Sequence, residues 1–218
     1  MNMESNYTGS RGLASLREFL RKPPEVERCE LCSLPLAARH QHLADPESRR
    51  LLCTCDACAI LFSAGGETRY RRVPRDSRYL ENFKLSDQAW CALAIPIGLA
   101  FIYSCSATQS VIAVYPSPAG PTESPIDAEC WAEIAAENPV LARMASDVEA
   151  LLLNRMNGAR DYFVAPIDEC YRLTGLVRKH WHGLSGGTEG WEQINLFFDD
   201  LKARSLREQS ASYAGSFV

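Results

Sequence analysis

Nine cysteines stand at positions 29, 32, 53, 55, 58, 91, 105, 130 and 170, and the first five fall within one stretch of 30 residues. Cys29-Glu30-Leu31-Cys32 and Cys55-Asp56-Ala57-Cys58 are C-x-x-C pairs separated by 22 residues, close to the spacing of paired-knuckle zinc sites. Two thiolates in one tight turn converge on one ion, and two such turns complete a tetrahedron with metal–sulfur distances of about 2.3 Å. A site filled by four protein ligands is closed, so a structural zinc at Cys29, Cys32, Cys55 and Cys58 is the expectation. Cys53 extends the second motif to C-x-C-x-x-C, and His40 and His42 lie in the connecting loop. Three sulfurs and one imidazole are therefore an alternative ligand set. The same four thiolates hold iron in rubredoxin-like sites, and Cys53 keeps an iron–sulfur cluster open. Against rubredoxin, Ser33 and Ala59 stand where glycine commonly follows each knuckle. Four thiolates around a divalent ion leave two negative charges, and Arg28, Arg39, Arg49 and Arg50 are near enough in sequence to offset them.

The other candidates are weaker. Cys170, near the start of a predicted helix, gains thiolate character from the helix terminus and loses it to Asp168 and Glu169. His180 cannot reach it, since ten residues along one helix span about 15 Å. Only His182 could approach, by a fold-back after Trp181. The structural reading makes Cys170, like Cys91, Cys105 and Cys130, a small core hydrophobe. The run Arg69 to Arg78 suits phosphates or an acidic partner, or else a solvated linker. Gly183-Leu184-Ser185-Gly186-Gly187 lacks the Lys-Ser/Thr ending of a phosphate loop and reads as a turn. Asp199-Asp200 reads as a solvated pair. The zinc-protease motif H-E-x-x-H is absent, and spacing alone assembles no Ser-His-Asp triad.

The elements that must position these residues begin with composition. The chain has 218 residues, 46% hydrophobic and 23% charged, with a net charge of −4. That excludes a disordered protein, a collagen and a disulfide miniprotein, and the near-neutral balance argues against a general nucleic-acid binder. The longest uncharged apolar run, Ala89 to Tyr103, has 15 residues and an internal proline, whereas a membrane span needs about 20. The first dozen residues lack the apolar segment of a secretory signal. A cytoplasmic location is expected, where thiols stay reduced and close-set cysteines serve metals.

Charge divides the chain near Lys84. Residues 1–84 hold 14 Lys+Arg against 11 Asp+Glu, a balance of +3, and residues 85–218 hold 9 against 16, a balance of −7. The expected organisation is a tail with a short helix around Leu13 to Leu20 (1–24), a Cys-rich metal-binding module (25–66), a basic linker (67–84), an α+β domain (85–208) and a tail (209–218). Gly98 to Tyr103 and Val111 to Tyr115 read as strands. Four prolines between Pro116 and Pro125 read as a rigid loop, since they forbid helix interior and central strand. Asp127 to Glu137 reads as a helix stopped by Asn138-Pro139. Asn157-Gly158 between Ala150–Leu153 and Tyr162–Val164 predicts a hairpin, in preference to a helix capped by Ser146 and Glu149. A helix with Asp168 as N-cap runs to about His180, and another from Thr188 to Arg204. The fold class is α+β: a small zinc-knuckle module, zinc ribbon or treble-clef-like, followed by a mainly antiparallel sheet of about four strands packed with helices.

Taken together, Cys29-Glu30-Leu31-Cys32, His40-Gln41-His42, Cys53-Thr54-Cys55-Asp56-Ala57-Cys58, Tyr115 to Gly120, Asp147 to Leu151, Pro166 to Tyr171 and Trp181 to Gly187 resemble an uncharacterised bacterial family. Its genes neighbour those of oxygen-tolerant, actinobacterial-type nickel–iron (NiFe) hydrogenases. The likeness covers about residues 25 to 205. It implies a context of assembly, maturation or electron supply of a metalloenzyme, and no defined activity. A metal-binding accessory protein that docks a protein partner, such as a hydrogenase subunit or maturation factor, is the expectation. The candidate docking residues are Arg69, Arg71, Arg72, Arg75, Tyr115 and Pro116. Electron transfer through rubredoxin-like iron or an iron–sulfur cluster is the alternative.

Overall fold

The computed structural model describes residues 26–65, 68–117, 119–181 and 187–208. The helical run expected at Leu13 to Leu20, residues 183–186 of the glycine turn, His182 and the C-terminal tail lie outside the described residues. The described residues form two sheets. The smaller has the order β2-β1-β3, from β1 (Gln41–Asp45), β2 (Arg50–Thr54) and β3 (Arg71–Arg72), all antiparallel. Helix α1 (Asp56–Ser63) follows β2 directly.

The larger sheet has seven strands. They are β4 (Arg78–Leu80), β5 (Leu99–Cys105), β6 (Ser110–Ser117), β7 (Gly120–Pro125), β8 (Glu149–Asn154), β9 (Asp161–Pro166) and β10 (Leu206–Glu208), in the order β10-β4-β9-β8-β5-β6-β7. All neighbours are antiparallel except β10 with β4. Helices α2 (Asp87–Ala92), α3 (Ala128–Glu137), α4 (Ile167–His180) and α5 (Gly187–Arg204) complete the fold.

The apolar runs of β5, β8 and β9 are continuous because both faces of the sheet are covered. Phe101, Tyr103, Ala150, Leu152, Phe163 and Ala165 point to one side, where Cys170, Leu173 and Val177 of α4 and Ile194, Phe197, Phe198 and Leu201 of α5 cover them. Ala100, Ile102, Leu151, Leu153, Tyr162 and Val164 point to the other, against Leu93, Ile134 and Leu141. Ala44 of β1 and Val73 beside β3 join the first cluster, so the small sheet is packed on the α4 side of the large one.

Several expectations need correction. The sheet has seven strands where about four were expected. The additions are β4 in the basic segment, the three-residue β10, and β7, which occupies the stretch read as a rigid loop. Pro121 and Pro125 are tolerated there because β7 is an edge strand, with Pro116 opposite Pro121 and Ile112 opposite Pro125. The segment 67–84 supplies β3 to one sheet and β4 to the other. The predicted β8–β9 hairpin is present, with Asn157 and Gly158 at φ 51° and 82°. Helix α3 starts after Asp127, whose Oδ1 accepts from the N–H groups of Glu129 and Cys130. Helix α4 starts two residues earlier than expected: Pro166, the last residue of β9, occupies the N-cap, and Asp168 sits inside the first turn.

Candidate metal centre

The first C-x-x-C pair sits on a tight turn closed by Ser33 N–H to the Cys29 carbonyl (2.8 Å) and Cys29 N–H to the Leu34 carbonyl (2.8 Å). Ser33 has φ 62°, so serine here holds the left-handed conformation that glycine adopts without strain. The Arg28 guanidinium donates to the Ser33 carbonyl. The second pair is placed by helix α1. Cys55 is its N-cap, the thiol sulfur accepting from Cys58 N–H at 3.5 Å, and Cys58 lies in the first turn. Between the two pairs runs the β1–β2 hairpin, and the Glu30 N–H donates to the Cys53 carbonyl, fastening the knuckle to β2.

This arrangement brings the sulfur atoms of Cys29, Cys32, Cys55 and Cys58 within 4.8 Å of one another. Cys32 and Cys55 sulfurs are 3.7 Å apart. Tetrahedral coordination at about 2.3 Å requires sulfur–sulfur separations of roughly 3.8 Å, and disulfide bonding would require about 2.0 Å. All nine cysteines are free thiols. Cys29, Cys55 and Cys58 are buried and Cys32 is exposed. Four cysteines so placed can hold a metal ion such as zinc.

The electrostatics are uneven across the four. Burial opposes ionisation of Cys29, but the backbone groups of Cys55, Leu31 and Cys32 and the Cys32 thiol together outweigh it and bring the thiol down to about 6. Burial, and then the thiols of Cys32, Cys55 and Cys29, push Cys58 up to about 12. Cys29 is thus the thiol the fold favours as thiolate, and its proximity works against ionisation of Cys32 and Cys58. Two of the four arginines expected to balance that charge are held by carboxylates: Arg49 pairs with Glu123 at 2.7 Å and Arg50 with Glu30 at 3.7 Å.

His40, His42 and Cys53 form a separate group whose ligand atoms lie within 4.8 Å of one another. Cys170 is fully buried. Burial, then Asp168 and Glu169, raise its thiol well above the ordinary value, which leaves it a protonated core group. Cys105 is buried in the same core, but Cys91, expected there too, is exposed on α2. The arginine run is engaged within the chain: Arg69 with Asp45 (2.7 Å), Arg71 with Asp147 (3.2 Å), Arg72 with the Gln41 side-chain carbonyl (3.1 Å) and Arg75 with Asp56 (3.2 Å). Tyr115 is half-buried and Pro116 buried. Sequence reasoning missed the partner of His42: its Nδ1 lies 2.8 Å from Asp168 Oδ2, 126 residues away, a separation that leaves no sequence signal.

No described helix is long and apolar enough to cross a membrane. The model of a family of unknown function, DUF5947, matches residues 28–205. No curated protein and no solved structure matches the chain. The chain belongs to the DUF5947 family.

Proposed function

We propose that this member of the family is a metal-binding accessory protein, in which zinc held by Cys29, Cys32, Cys55 and Cys58 fixes a docking module onto an α+β body. The observation that carries the proposal is the convergence of four sulfur atoms from a knuckle and a helix start within 4.8 Å. The order of knuckle, hairpin and helix start corresponds to a treble clef, and the closed ligand set supplies cross-linking in place of a hydrophobic core. Docking is supported by the apolar surface of the module. Ile60, Leu61 and Phe62 of α1 are exposed, as is Leu34 beside the knuckle, and exposed apolar groups gathered on one small module favour a protein partner. The resemblance noted in the sequence gives that partner its proposed class, a NiFe hydrogenase subunit or maturation factor, and the location its proposed compartment, the cytoplasm.

Elemental analysis of protein purified without added metal should give zinc bound to the chain. Affinity capture in a hydrogenase-producing host should recover a hydrogenase component with the native chain and lose it with Leu61→Asp. Capture without such a component removes the hydrogenase reading. One observation favours a second reading: Cys32 is exposed at the cluster, so an iron ion there would be open to a redox partner. Coloured protein that contains iron and bleaches on reduction would establish electron transfer in place of a structural role.

A further inference from the structure

We infer that His40, His42 and Cys53 form a second metal site, distinct from the four-thiolate cluster and open at its fourth position, for a borderline divalent ion of the Co²⁺, Ni²⁺, Zn²⁺ class. It uses none of the four cysteines of the first cluster and does not depend on how that cluster is filled.

The β1–β2 hairpin builds the site. His42 on β1 is the register partner of Cys53 on β2. Both backbone groups of Cys53 are engaged with Glu30, the N–H to its Oε1 at 2.8 Å and the carbonyl with its N–H. The pair is therefore of the kind without mutual backbone hydrogen bonds, in which facing side chains come closest. His40, two residues before His42, shares its face, and the two imidazole rings are 4.7 Å apart.

The hydrogen bonds then fix which nitrogens can ligate. His40 Nδ1 lies 3.0 Å from the Ala37 carbonyl, which can only accept, so the ring proton is on Nδ1 and the lone pair is on Nε2. The His40 side chain is 8% exposed, and its Nε2 is buried with no partner. A buried acceptor left unpaired is costly, and a bound cation would satisfy it. His42 Nδ1 lies 2.8 Å from Asp168 Oδ2. The carboxylate accepts, so His42 likewise presents Nε2. A carboxylate behind an imidazole is the arrangement that orients and strengthens a metal-bound histidine. One ring nitrogen of each histidine and the Cys53 sulfur complete a triangle within 4.8 Å.

Two imidazoles and one thiolate select late first-row ions over Mg²⁺ or Ca²⁺. Three protein ligands leave room for solvent or an exogenous ligand, unlike a closed structural site. His40 also lines an open cleft together with Leu34, Leu36, Arg39, Cys55 and Asp56.

The test is titration of the full-length, reduced, metal-free chain with Co²⁺ alone, followed by optical absorption and metal analysis. Two equivalents should bind. His42→Ala and Cys53→Ser should each lose one equivalent and leave the four-thiolate spectrum unchanged, while Asp168→Asn should weaken that equivalent by about 10–100-fold. A single equivalent that survives in both variants, with folding verified by circular dichroism, overturns the second site and leaves the first. A single equivalent lost in both variants but kept in Cys32→Ser establishes the second site and removes the four-thiolate reading.

Discussion

Stripping the ion from Cys29, Cys32, Cys55 and Cys58 should melt the knuckle and spare the seven-stranded sheet. From Arg28 to Leu36 nine residues form one turn, and fixing their backbone costs about 1–2 kcal/mol each, roughly 9–18 in all. The contacts that oppose this cost are few. Among the described residues Leu31 and Leu36 pack on the buried cysteines, both incompletely, for about 2–3 kcal/mol together. Four backbone hydrogen bonds, from Cys29, Glu30, Ser33 and Leu36, contribute roughly 2–6 kcal/mol in total. At the middle of these ranges the knuckle alone falls short by about 7 kcal/mol, and a structural zinc ion, at about 10–16 kcal/mol in small modules, covers the deficit. Hydrogen exchange read by mass spectrometry, with and without chelator under reducing conditions, measures this directly. Amides in 29–36 and 53–59 should approach unprotected rates after metal loss, while those of β5, β8 and β9 keep their protection. If elemental analysis verifies metal loss and the knuckle amides do not change, or if the entire chain exchanges at once, the reasoning is refuted.

Three further outcomes follow from other parts of the fold. A methyl group added at Gly98 would stand 2.9 Å from the backbone carbon and oxygen of Arg155, so Gly98→Ala should destabilise the chain by about 1–3 kcal/mol, read from the urea midpoint. Asn138 is buried and clamps two segments, its amide donating to the Lys84 and Ile134 carbonyls and its Oδ1 accepting from Lys84 N–H. Asn138→Ala should cost about 2–4 kcal/mol by orphaning them, and an Asn138→Asp variant, which loses the donor, should not restore stability. Cys170 keeps its proton in the folded chain because burial raises the thiol above its ordinary value of 9.0, whereas the unfolded chain sheds it there. Its contribution is whole below pH 9 and declines as pH rises, so thermal stability should fall above that point and fall less steeply in Cys170→Ala; in native protein Cys170 should resist alkylation.

How much of this was legible depends on how local each signal is. The strands β5, β6, β8 and β9 and helices α3, α4 and α5 carry their own signals, in β-branched runs, the Asn157-Gly158 turn, the Asp127 cap and the spacing of Ile194, Phe197, Phe198 and Leu201. The strands β3, β4 and β10 have two or three residues each, too few for any periodicity, and exist because a neighbouring edge offers unpaired backbone groups. Proline misled at β7 because its prohibition applies to central strands, and strand order is not written in a segment's own composition. Asp168 reads as a cap for a related reason. A carboxylate at the start of a helix satisfies local rules equally at the cap or two positions inside, and its long-range partner His42 is invisible locally.

The candidate site shows the same division between chemistry and placement. Two C-x-x-C pairs state their chemistry in their spacing. Placing Cys53, His40 and His42 requires the register of β1 on β2, and a shift of one residue would turn either strand's donors to the opposite face. That register is held from outside the hairpin. Val73 N–H donates to the His42 carbonyl at 3.1 Å, Arg72 bonds Gln41, and Asp168 on α4 grips the imidazole. The basic segment and the α+β body thus align the histidines with Cys53, so a cut anywhere between residues 67 and 84 should disturb the His40, His42, Cys53 group before the four-thiolate cluster. Limited proteolysis in that segment, followed by Co²⁺ titration, should release one equivalent and retain the other. Simultaneous loss of both would show that the hairpin register and the knuckle are one cooperative unit.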